Sequence, residues 1–220
     1  MLNWPKEMPT LVEGDVTLRP AVHLDIPLIF RGCQDPLLPK FTRVPMRYTM
    51  AHATEFISRN DEGIPLGAEL RFAIEYTGAL PAIEKPLSKA NGLLGDDDIG
   101  SAIYKELDGF KSEVGAGYLA GVISFHSIDI SSESGEIGYW ATYPLRGRGI
   151  MTQAARMITL WAFNEVGLKN LRGLANPANE ASQKVLLKSG YEFVRLLKDH
   201  QITNGTAHDM NLYAAVKGGA

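Results

Sequence analysis

The stretch that most restricts this chain runs from Pro144 to Ala155 and reads PLRGRGIMTQAA, with Arg146-Gly147-Arg148-Gly149 at its centre. Apolar residues follow at Ile150, Ala154, Met157, Ile158, Trp161 and Ala162, the spacing of a helix with one buried face. A glycine inside a helix costs about 1 kcal/mol relative to alanine, so glycines at a helix mouth mark a place where side chains are unwanted. A strand, a glycine-rich turn and a helix start leave unpaired N–H groups at the positive end of the helix dipole, which makes an anion site. Arg146 and Arg148 would add charge at its rim. An ordinary tight turn uses the same residues, so the turn alone leaves both readings open. It is not a dinucleotide GxGxxG loop, because Thr152 stands where a small residue is required, and no Gly-Lys-Ser/Thr follows.

The rest of the chain sets this junction in a mixed sheet. Asp15–Ala21 and Leu70–Tyr76 alternate like strands, and the segments around Leu24–Ile29 and Met50–Ile57 have helical spacing, with Thr49 as an N-cap. Gly117–Asp129 and Ser134–Tyr143 form a hairpin of long strands around Ser131–Ser134. A helix is expected over Gly149–Val166, a strand over Asn170–Ala175, and a helix over Ala178–Ser189 closed by Gly190. Tyr191–His200 and Thr206–Val216 make a closing hairpin at Asn204-Gly205. This order predicts one α/β domain over residues 1–220, a central mixed sheet with helices on both faces.

One segment does not fit ordinary connections. Thr77–Ala116 separates two strands by about 40 residues, far beyond a usual hairpin loop. Within it Ile99, Ile103 and Leu107 recur behind Asp96-Asp97-Asp98, which suits a short helix better than a cation site. Segments of this length are usually functional or disordered; an ordered stripe needs an apolar surface, either as a lid over the acceptor side of a cleft that helps set specificity or as a homodimer contact.

The composition narrows the function classes. The chain has 220 residues and a net charge of −3, and its pI near 6.0 argues against a surface that coats nucleic acid. No apolar run reaches the roughly 20 residues of a membrane span, and MLNWPKEMPT lacks the pattern of a secretory signal. The single Cys33 fits a reducing compartment, so a cytoplasmic location is expected. His23, His52, His126, His200 and His208 show neither metal-ligand spacing nor a paired acid motif, so no metal is expected and each reads as structural or exposed.

Downstream, Asn176, Asn179 and Ser182 lie three apart at the mouth of the next helix, a spacing that keeps polar groups on one face. Asn176 before Pro177 suits an N-cap, but capping accounts for one asparagine and not for three polar groups in phase. Arg146-Gly147-Arg148-Gly149, Asn179-Glu180-Ala181-Ser182 and Lys188-Ser189-Gly190-Tyr191, preceded by Glu136-Ile-Gly-Tyr-Trp140, resemble the GNAT (N-acetyltransferase) superfamily. The branch most similar contains the ribosomal-protein N-terminal acetyltransferases. The resemblance spans roughly Val16 to Val216 apart from the insertion and is strongest from Glu136 to Phe193. One departure is Pro144, where the family pattern has Gln or Arg three residues before the first glycine.

The resemblance implies a mostly antiparallel mixed sheet and a turn that binds the pyrophosphate of acetyl-CoA, used as co-substrate. Arg146, Gly147, Arg148, Gly149, Ile150, Met151 and Thr152 would form that turn, and Asn176 and Asn179 would complete the coenzyme side. It also implies that a backbone N–H at the end of the Glu136 strand binds the thioester oxygen. The acceptor would be a primary amine, a small molecule or a protein N-terminus, attacking the thioester directly. A free α-amino group has a pKa near 8 and a lysine near 10.4, so a base matters most for lysine. Glu136 is the candidate base and Ser182 the candidate proton donor to the leaving thiol, although a serine hydroxyl is a weak acid. Tyr139 and Tyr191 are further hydroxyls that serve equally well as plain core. The alternative function is a GNAT-fold module that binds coenzyme A or a partner without catalysis.

Overall fold

The alternating segments pair edge to edge in a computed structural model that describes residues 2–66, 69–79, 107–203 and 205–218. In chain order the strands are β1 (Leu11–Glu13), β2 (Val16–Pro20), β3 (Leu70–Tyr76), β4 (Tyr118–Asp129), β5 (Ser134–Ala141), β6 (Asn170–Ala175), β7 (Glu192–Thr203) and β8 (Thr206–Val216). Among the described residues they form one sheet ordered β1-β2-β3-β4-β5-β6-β8-β7. Every neighbouring pair is antiparallel except β5 with β6. The helices are α1 (Ile26–Gly32), α2 (Leu38–Phe41), α3 (Met50–Leu66), α4 (Ile150–Trp161) and α5 (Glu180–Lys188). The short β1 and α2 carry too few periodic residues to be legible beforehand.

Strand alternation sends successive side chains into two different cores. Phe72 and Ile74 of β3 and Ile123 and Phe125 of β4 join Ala154, Ile158 and Trp161 of α4 in the larger one. Their neighbours Ala73 and Val122, with Trp140 of β5, pack on the other face against Ile29, Cys33, Ala53 and Ile57. Helices therefore cover both faces, as the pattern predicts. Trp161 meets Phe72 and Phe125 edge-on at centroid distances of 5.9 and 6.2 Å. Truncating such a buried ring to alanine typically costs about 3–5 kcal/mol.

The 80–106 part of the insertion, with its Asp96–Asp98 and Ile99–Ile103 pattern, lies outside the described residues. Its roots are anchored by a buried charge network. The Arg19 guanidinium donates to Asp25 at 2.7 and 2.8 Å, to Glu75 at 2.8 Å and to Ser112 at 3.0 Å. Glu75 also accepts the Gly117 N–H at 2.7 Å, and Ser112 Oγ accepts from Val114 and Gly115. These roots leave the sheet at the Tyr76–Tyr118 end, where β3 and β4 pair.

Two starts of helices differ in detail. Thr49 does cap α3, its Oγ1 accepting the His52 N–H at 3.3 Å. At α5 the cap is Asn179, whose Oδ1 accepts the Ser182 N–H at 3.2 Å. Asn176 instead accepts from Ala178 through its side chain and from Asn179 through its carbonyl. Pro177 is therefore the second residue of a tight turn, a position its fixed φ suits as well as a helix start.

Candidate active site

The site begins where two parallel strands part. β5 and β6 run in register only from Ser134↔Asn170 to Ile137↔Gly173. Beyond that point β5 stays with β4 through Ala141, while β6 stays with β8 through Ala175. The backbone direction follows from alternation along an antiparallel strand. Thr142 N–H bonds to Ala120 O, and Gly138 O accepts from Ser124, so the even positions face β4. Tyr139 and Ala141 therefore present their N–H and C=O groups to the gap.

Two cavities reach this gap from opposite sides and share Phe41, Thr42, Ile137, Gly138, Tyr139, Trp140 and Leu174 in their walls. The first, about 620 Å³, extends over the glycine turn to α5. Gly147 and Gly149 have φ of +77° and +81°, the left-handed region that favours glycine. A Cβ on either would meet nothing within 4 Å, so these glycines keep open a space that the protein itself does not fill. The first N–H of α4 to turn back on the chain is Gln153, bonded to Gly149 O at 3.0 Å. Among the described residues the N–H groups from Gly147 to Thr152 have no protein acceptor. Arg148 Nε is buried beside them, also with no acceptor. Unpaired donors, left-handed glycines and a stranded guanidinium nitrogen suit an anionic group such as a phosphate.

The two asparagines and two arginines do not share this role evenly. Arg146 turns inward, donating to Ala141 O at 2.7 and 3.0 Å and pairing with Asp35 at 2.5 Å. Its own N–H bonds to Tyr143 O. Its guanidinium thus braces the end of β5 instead of adding charge to the rim as expected. Asn179 lines the cavity with one side-chain atom engaged as the α5 cap, whereas Asn176 lies outside the lining.

Ser182 also lines this cavity, and its Oγ lies 3.0 Å from the Tyr139 hydroxyl, which also donates to Ser182 O at 3.1 Å. Burial pushes the Tyr139 phenol well up, so it remains a protonated donor. The other tyrosine is structural: Tyr191 is 1% exposed and bonded to Thr159 at 2.8 Å.

The second cavity, about 640 Å³, lies on the opposite face, between β5 and the segment from Phe41 to Phe56. Glu136 opens into it, buried, with one oxygen taking Arg172 Nε at 2.7 Å and the other 3.9 Å from His126 Nε2. Burial pushes the His126 pKa down; Glu136 and Glu69 oppose that shift, and Arg43 and Arg172 add to it. A neutral imidazole beside a carboxylate can accept a proton, so His126, which the sequence pattern reads as structural or exposed, joins Glu136 as a candidate in this wall. Cys33 also reaches this wall, but burial raises its thiol to about 12, which leaves it inert as a nucleophile. Among the described residues no group of three or more His, Cys, Asp or Glu could hold a metal. No described helix is long and apolar enough to cross a membrane.

Known proteins resemble this chain in sequence and in fold. The chain is 33% identical over 115 residues to YdaF of Bacillus subtilis (strain 168), provisionally named a ribosomal N-acetyltransferase, covering 52% of this chain and 63% of that protein. It is 32% identical over 98 residues to the ribosomal-protein-serine acetyltransferase of Escherichia coli (strain K12), covering 44% and 55%. These matches thus span little more than half of each relative's length. Among solved structures, RimL, a ribosomal L7/L12 α-N-protein acetyltransferase in complex with coenzyme A, superposes with a TM-score of 0.70 at 19% identity, covering 94% of this chain and 96% of that one. MccE, a microcin C7 self-immunity acetyltransferase in complex with acetyl-CoA and AMP, gives 0.68 at 21%, covering 93% of each. Both share the fold. The profile of the acetyltransferase (GNAT) domain matches residues 15–192, and the chain belongs to that family.

Proposed function

We propose that this chain transfers an acetyl group from acetyl-CoA to a primary amine, a small molecule or a protein N-terminus. The observation that carries this reading is the pair of cavities meeting at Gly138–Trp140, one edged by the unpaired N–H groups of the glycine turn and the other by Glu136 and His126. Acetyl-CoA would be held by Gly147–Thr152, Arg148 and Asn179, and it supplies the acetyl group as a thioester. Arg146 would support the turn from behind, and Asn176 would shape the loop that leads into α5.

The chain's residues would do the rest. The N–H groups of Tyr139 and Ala141 face the gap and would stabilise the acyl oxygen as it gains charge. Glu136, with His126 beside it, would take the proton that the amine loses as its nitrogen bonds to the acyl carbon. Tyr139, oriented by Ser182, would donate to the sulfur as the carbon–sulfur bond breaks. The names of the relatives support an amine acceptor on a protein.

The test is thiol release from acetyl-CoA in the presence of peptides with free N-termini and of small amines, with coenzyme binding followed separately. Amine-dependent thiol release is expected. Coenzyme binding without release for any amine would replace this reading with a non-catalytic coenzyme-binding module.

A further inference from the structure

Every glutamate in the wall of the acceptor-side cavity already has an arginine partner. Glu55 pairs with Arg59, Glu69 accepts from Arg71 at 2.5 Å, and Glu136 accepts from Arg172 at 2.7 Å. A cavity that held a second ammonium besides the reacting amine would keep a carboxylate spare, because a cation leaving water needs a partner. This cavity keeps a spare cation instead. Arg43 lies in the wall with no carboxylate partner among the described residues, close enough for its charge to act on His126. Arg71, 4% exposed and stacked 4.6 Å from the Phe56 ring, has its Nε buried without an acceptor. Arginine offers carboxylate and phosphate oxygens a matching fork of donors.

We propose that the acceptor also carries an anionic oxygen group, a carboxylate or a phosphate, which docks on Arg43 while its amine lies toward Glu136 and His126. This inference rests on the reading of the cavity as the acceptor side. The cavity then discriminates against polyamines, which would bring a second positive charge to a wall whose acids are all paired.

Calorimetric binding to the coenzyme A-loaded protein tests this without turnover, using aminohexanoate, its amide, aminopentyl phosphate and diaminopentane. At least one anionic amine should bind about fivefold more tightly than the amide, the upper range for one solvent-exposed charge pair, with the diamine weakest. The tighter of the two anions identifies the group. Arg43→Gln, a change at an exposed position, should erase the gap between anion and amide and leave the amide's affinity as it was. Equal binding of the amide or diamine, or an undiminished gap in Arg43→Gln, overturns the inference. Acetyl transfer measured in parallel separates the two readings. Anion-selective binding without transfer to any amine removes the transferase and leaves the anion subsite, while highest kcat/KM for the diamine does the reverse.

Discussion

Gly149 separates what the fold needs at the glycine turn from what a coenzyme would need. Its φ is +81°, and an added Cβ meets no protein atom within 4 Å. Gly149→Asn therefore costs the fold only the left-handed backbone, about 1 kcal/mol and least for Asn and Asp. For a chain of this size that is a loss of about 3 °C in Tm. Gly149→Asp imposes the same backbone cost and the same shape but adds a negative charge in the open space. A carboxylate about 5 Å from one phosphate charge, at an effective dielectric near 20, is opposed by about 3 kcal/mol. That weakens coenzyme A binding by about a hundredfold relative to Gly149→Asn. Calorimetry of coenzyme A at low and high salt, with thermal unfolding alongside, reads both quantities. The two variants should unfold together and bind differently, with the difference shrinking as salt screens the charges. Equal affinity of Gly149→Asp and Gly149→Asn would show that no phosphate sits at this turn.

Four further outcomes follow from the same geometry. Glu136→Gln keeps the shape but removes basicity, and turnover should fall about a hundredfold with coenzyme binding nearly intact; unchanged turnover across the pH range would place the base elsewhere. Tyr139→Phe should lower kcat about tenfold or more, and more than Ser182→Ala does, if the phenol is the proton donor and the serine its holder; the reverse order in steady-state kinetics would exchange their roles. His126 is held below its ordinary pKa by burial, so the unfolded chain binds its proton more readily than the folded one. Its contribution to stability is therefore whole above the unfolded value near 6.5 and is lost as pH falls through and below it, a slope in urea denaturation that His126→Asn should flatten. Glu75→Gln leaves Arg19 a buried cation with one carboxylate fewer, at a cost of about 3 kcal/mol, read as a fall in Tm, whereas a surface change such as Glu180→Gln should leave Tm within error.

Much of the scaffold was legible because the signals are local. Alternation in Leu70–Tyr76, the apolar stripe from Ile150, and Asn204-Gly205 before Thr206 each express a backbone preference over a few residues. Gly147 and Gly149 mark a place where side chains are unwanted, and the structure adds that both have left-handed φ. The resemblance of the Glu136–Phe193 motifs added the family, which the match over residues 15–192 shows. The chemistry of the site was another matter. Carrying the Asp129↔Ser134 pairing straight along the hairpin would set His126 opposite Ile137, but a bulge sets it opposite Glu136. No periodicity announces one extra residue in a strand, yet it decides whether an imidazole and a carboxylate share a face. Asp35, just before α2, and Arg146, beyond the end of β5, are remote in sequence and meet only in the folded chain, and that ion pair takes the guanidinium away from the turn. Tyr139 and Ser182 meet because β5 leaves β6 after Ile137 and α5 lies along the opening. Propensity and spacing act within a turn or a strand, so they determined most of the elements and where the glycine turn meets the helix. Ion pairs and hydroxyl contacts depend on distances between residues remote in sequence, and only the assembled sheet with its register shift and its parting strands decides those.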